Sequence, residues 1–70
     1  MNTEMKYNAL NAIAKRCSDA MNAISKDNLA ALREITDRFA VDAKLIGFSK
    51  IEMMHEIGVV NGVLKNRKLN

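Results

Sequence analysis

A chain of 70 residues with no proline, no tryptophan and a single cysteine has room for one small domain, and Cys17 alone excludes an intrachain disulfide. One histidine, His55, beside that cysteine argues against a four-ligand zinc site within the chain, so neither metal nor other cofactor is expected. The net charge of +3 is unevenly placed: all eight acids fall within residues 1–56, whereas Lys65, Arg67 and Lys68 follow with no acid among them.

Apolar residues make up 49% of the chain and are weighted toward Ala, Leu, Ile and Met. These are helix formers, and aromatic residues are scarce, so the composition points to an all-α domain. The apolar runs are too short to span a bilayer. The opening stretch "MNTEMKYN" lacks a hydrophobic signal region, and a lone thiol fits a reducing compartment, so a cytoplasmic location is expected. A single core of this size rarely supplies more than about 3–5 kcal/mol of net stability. With no disulfide or metal to help, self-association is the expected support.

The first helix is predicted over residues 4–24. Tyr7, Leu10, Ala14, Cys17, Met21 and Ile24 recur at alternating spacings of three and four, a heptad seam. Asn8, Asn11, Lys15, Asp19 and Asn22 lie opposite and are assigned to water. Ala9, Ala12, Ile13, Ala20 and Ala23 widen one flank with mostly small side chains, where a second helix could approach closely.

Two matching signals divide the rest of the chain, "ISKDNL" (24–29) and "FSKIEM" (48–53). In each, a serine is placed to cap a helix by accepting from a backbone N–H of its first turn. Apolar residues flank each serine with the spacing of a hydrophobic staple: Ile24 with Leu29, and Phe48 with Met53. Glu52 completes a capping box with Ser49, and Gly47 stands where a left-handed residue would close the preceding helix.

The second helix is predicted over 26–46. Leu29, Leu32, Thr36, Phe39, Ala43 and Ile46 repeat the seam, with Ile35 at its edge. Glu34, Arg38 and Asp42 alternate in charge at four-residue spacing, which supports an exposed face. Val41 and Leu45 interrupt that face, nearly opposite Phe39, and require a cover from the third helix or from another chain. Similar lengths, matched seams and a short connection favour an antiparallel helical hairpin. The predicted fold is this hairpin plus a shorter C-terminal helix, assembling as a helical-bundle dimer.

The third segment, residues 50–65 with a basic tail over 65–70, supports three readings. A continuous helix aligns Met53, Ile57, Val60 and Leu64 but places Gly58 and Gly62 in its interior, at about 1 kcal/mol each relative to Ala. A second reading uses "MMHEIGV" as a first helix with Gly58 and Val59 at a turn. Met53, Ile57, Val59 and Leu64 then resemble the apolar pattern of helix-turn-helix repressors from bacteria and phages. That resemblance implies a dimeric DNA-binding regulator, with Asn61, Lys65, Asn66, Arg67 and Lys68 near the duplex. Met54 stands where that pattern usually has Ala, and Arg67 at a normally buried place. The third reading is a hairpin on Asn61-Gly62, whose strands would be very short. The reading adopted is a helix, with Gly58 as the place where it would break.

No catalytic constellation is legible. Glu52 and Glu56 share a helix face from which His55 points away, which is the pattern of a solvated face beside a cap. Cys17, within an apolar seam, is expected to stay protonated. The expected function is therefore non-enzymatic: a small regulatory or inhibitory protein that binds another protein, a form common among phage- and plasmid-derived regulators. The candidate surface joins Val41, Leu45, Met53, Met54, Ile57 and Val60, since apolar helix faces with methionines suit adaptable contacts.

Overall fold

The computed structural model describes residues 3–63. Its helices are α1 (Thr3–Asn22), α2 (Leu29–Leu45) and α3 (Lys50–Val60), and no strand occurs among the described residues. The architecture is all-helical, as expected from composition, with boundaries that differ by two or more residues at three places.

The first helix stops at Asn22 rather than at residue 24. The N–H groups of Ala23 and Ile24 reach back to the carbonyls of Ala20 (3.3 Å) and Met21 (3.1 Å), a tightening that closes helix ends. The second helix starts at Leu29 instead of 26. Its N-cap is Asn28, whose side chain accepts from the Ala31 N–H at 3.2 Å. Ser25 serves the preceding turn: its hydroxyl accepts from Asp27 N–H (3.3 Å) and its carbonyl from Asn28 N–H (3.0 Å). Leu29 is 71% exposed, so the expected staple with Ile24 is not formed.

The corner between α2 and α3 follows the sequence signals closely. Gly47 adopts φ +91°, and its N–H donates to Lys44 O (3.0 Å) while that of Phe48 donates to Ala43 O (2.9 Å). This is a Schellman closure, with the apolar residue beyond the glycine folded back onto the helix. Phe48 and Ala43 are both buried. Two residues later the capping box is complete. Ser49 Oγ accepts from Glu52 N–H at 3.1 Å, and Glu52 Oε1 accepts from Ser49 N–H at 2.8 Å.

Helix α3 runs through Gly58 and ends at Val60, earlier than the predicted 65. Gly62 (φ +77°) repeats the Schellman closure, its N–H donating to Val59 O (3.1 Å) and that of Val63 to Gly58 O (2.9 Å). Gly62 is thus a helix terminator rather than an interior residue. Asn61-Gly62 forms no hairpin, because Val59 and Val60 are helical. Leu64 and the basic tail lie outside the described residues.

Leu10, Ala14, Cys17, Ala43 and Met53 are at most 1% exposed, and Ala40 and Phe48 complete the buried centre. Ala14 and Cys17 of α1 and Ala40 and Ala43 of α2 are the small side chains of this centre. Most of the predicted alanine flank, by contrast, is at least partly exposed, including Ala9, Ala12, Ala20 and Ala23. Thr36 is buried at a seam position because its hydroxyl donates to Arg33 O at 2.8 Å.

Helix α1 packs on both neighbours, and more extensively on α3 than on α2. Two polar bridges accompany the α1–α3 contact. Asn11 Nδ2 donates to Glu56 Oε2 (2.9 Å), and Ser18 Oγ donates to Asn61 Oδ1 (3.2 Å). Asn11 and Glu56, both assigned to water by helical periodicity, therefore sit in an interface, and Glu56 is 1% exposed. At the other end of α1, Tyr7 meets the Phe48 ring with centroids 5.2 Å apart, and Lys6 Nζ lies 5.7 Å from the same ring. The Cα radius of gyration, 11.8 Å, is near the roughly 11 Å expected of a compact chain this long.

Candidate protein-binding surface

The helix register decides which apolar side chains remain at the surface. Val41 and Leu45, one turn apart on α2, are 57% and 80% exposed, and α3 does not cover them. Val41 borders a shallow face of about 410 Å³ along α2, shared with Ala30, Arg33, Glu34, Asp37 and Arg38. Met54 is 48% exposed and lines a separate groove of about 260 Å³ with Met21, Leu32, Arg33, Thr36 and Lys50. Arg33 borders both depressions, so the two lie on adjoining sides of α2.

Three members of the predicted surface are placed otherwise. Met53 is fully buried, because the capping box fixes the α3 register and turns this position inward; it is not a contact residue. Ile57 is half-buried and packs against the core, and Val60 is half-buried. Four further exposed apolar residues lie outside the predicted surface: Met5, Val63, Ile51 at 72% and Leu29 at 71%. Ile51 was discoverable, since a wheel drawn from the Ser49 cap places it nearly opposite Met53 on the apolar stripe. Leu29 was not, because its exposure follows from the later start of α2.

The predicted DNA-contact residues are only partly described. Asn61 caps α3 and its Oδ1 is engaged by Ser18, which turns it toward α1. Lys65, Asn66, Arg67 and Lys68 lie outside the described residues. Gly58 and Val59 are helical, so the turn required by a helix-turn-helix at that place is not formed.

The electrostatics centre on Asp37. Its carboxylate accepts from Lys50 Nζ across the α2–α3 contact. That hydrogen bond, reinforced by the charges of Lys50, Arg33 and Lys44, holds the Asp37 carboxyl below the usual carboxylate range. Cys17 is the opposite case. Burial pushes its thiol up, and its Sγ lies 3.8 Å from Met21 Sδ, so it packs as a small apolar group. Among the described residues, no group of three or more His, Cys, Asp or Glu side chains could hold a metal ion. No described helix is long and apolar enough to cross a membrane.

No model of a known family, no curated protein and no solved structure matches this chain.

Proposed function

We propose that this protein is a small non-enzymatic regulator or inhibitor that works by binding other protein chains through apolar helix surface. The observation that carries the reading is the exposure of Val41 and Leu45 together on one face of α2. Removing such side chains from water is worth about 25 cal/mol per Å² of apolar surface, and contiguous apolar surface marks contact sites in small proteins. In this reading α1 and α2 form an antiparallel hairpin, and the Val41–Leu45 face pairs with a second copy, giving a cytoplasmic homodimer. A domain this small gains needed stability from such pairing. The remaining groove surface then serves a different partner.

Sedimentation velocity across protein concentration tests the pairing. A dimer is expected for the wild-type chain, and a monomer of unchanged helicity for the Val41→Glu/Leu45→Glu variant. A wild-type chain that stays monomeric at every concentration, or a variant that dimerises equally well, would remove the Val41–Leu45 face from the reading.

A further inference from the structure

The groove between α2 and α3 differs in kind from the Val41–Leu45 face. Its floor is apolar or nearly so, built from Met21, Leu32, Met54 and the methyl-bearing Thr36, whose hydroxyl is already committed to Arg33 O. Its rim carries two cations and no acid, Arg33 from α2 and Lys50 from α3. Lys44 adds a third positive charge close enough to act on Asp37. Asp37 itself shows what this rim prefers. Its exposed carboxylate leans across to Lys50, while neither Arg33 nor Lys44 makes an ion pair among the described residues. One carboxylate thus sits among three cations, leaving a local excess of positive charge beside an apolar trough.

We propose that this groove is a docking site for an acidic amphipathic helix of a second protein, its apolar side chains on Leu32, Thr36 and Met54 and its carboxylates on Arg33 and Lys50. The inference rests on the protein-binding reading above and deepens it by naming the partner's chemistry. A helix laid in a groove presents apolar anchors at three- and four-residue spacing, and Met54 is flexible enough to fit anchors of different shape. Opposite charge at the rim supplies orientation and discrimination against basic helices. Nucleic acid fits less well, because the floor offers no aromatic face for stacking and no polar group to meet a base edge.

The full-length protein, labelled with nitrogen-15, is titrated with three synthetic peptides of about four helical turns each. One carries leucines at helical spacing with glutamates elsewhere, one replaces the glutamates by lysines, and one scrambles the acidic sequence. The acidic amphipathic peptide is expected to shift the amides of Arg33, Thr36, Lys50 and Met54, and to bind at least about tenfold tighter than the other two. Arg33→Glu/Lys50→Glu should abolish that binding. Asp37→Asn, which releases Lys50, should tighten it several-fold, an effect that damage to the fold would not produce. Asn8→Ala, on the exposed face of α1, should leave it unchanged.

Equal binding of the lysine or scrambled peptide, shifts centred on Val41 and Leu45, or displacement of the acidic peptide by duplex DNA would each overturn the proposal. So would unaltered or weaker binding by Asp37→Asn. Because dimerisation is read separately by sedimentation, loss of the groove leaves the wider reading to stand or fall on its own result.

Discussion

Asn11 donates a hydrogen bond at 2.9 Å to the carboxylate of Glu56, 45 positions further along the chain. The acceptor is almost completely shielded, at 1% exposure. Burying a carboxylate is costly unless donors surround it, so this contact bears directly on how α3 is held to α1. Asn11→Ala is expected to destabilise the fold by about 1–3 kcal/mol, the range for losing one hydrogen bond to a buried or charged acceptor. Urea denaturation followed by circular dichroism checks this. A loss no larger than that of Asn8→Ala, an exposed neighbour, would show that the contact contributes nothing.

The Cys17 thiol makes a second prediction, because burial raises its pKa above the unfolded value. A group shifted upward contributes stability that is fully present below the unfolded pKa and is lost as pH rises through the folded one. Stability should therefore decline on the alkaline side, and Cys17→Ala should flatten that part of the profile. Alkylation at mildly alkaline pH should follow the rate of transient opening and accelerate strongly in denaturant. Rapid labelling of the native protein would contradict the burial of this side chain.

Asp37 behaves in the opposite sense. Lys50 and its neighbours hold the carboxyl below its ordinary range, so its contribution is present above the unfolded carboxylate pKa and disappears as pH falls through the lowered folded value. Carbon-13 NMR titration of the Asp37 carboxyl should find it low in the wild-type chain and closer to the ordinary range in Lys50→Ala. An unchanged titration in that variant would show that the Lys50 contact does not persist in solution. Since Asp37 is exposed, the effect on overall stability should be small.

The two left-handed glycines should respond unequally to alanine. Either substitution forces a side chain into positive φ, at about 1–2 kcal/mol. At Gly62 a new Cβ meets nothing within 4 Å, whereas at Gly47 it comes within 3.2 Å of Lys6 Nζ. Gly47→Ala should therefore cost more than Gly62→Ala, and pairing it with Lys6→Ala should recover part of the excess. Thermal melts of the three variants provide the comparison.

The capping box offers a non-additive test. Ser49→Ala and Glu52→Ala should each cost about 1 kcal/mol. Each change leaves the other residue's bond without its reciprocal, so a double-mutant cycle should give a coupling above about 0.5 kcal/mol. Strict additivity would mean that the two bonds form independently.

The parts of this fold legible from sequence are those set by short-range chemistry. Gly47, Ser49 and Glu52 lie within six positions and satisfy one another's backbone, so no distant residue is needed to read the corner. The start of α2 is ambiguous in the sequence because Ser25 and Asn28 are comparable caps, and only the turn geometry chooses between them. Gly62 was ambiguous for a similar reason, since Asn-Gly suits both a hairpin turn and a helix stop. Glu56 was opaque, because its burial depends on Asn11 and no local pattern announces a carboxylate directed inward. Within the candidate surface, adjacent Met53 and Met54 differ completely, at 0% and 48% exposure. The cap at Ser49 already contained that distinction, because it sets the helical phase of both residues. The groove beside Met54 was beyond reach, as it requires knowing where α3 lies along α2.

Phe48 is buried, with Tyr7 and Lys6 on one side and the end of α2 on the other. A single ring thereby clasps the first turns of α1 to the corner that launches α3, and neither can peel away without wetting it.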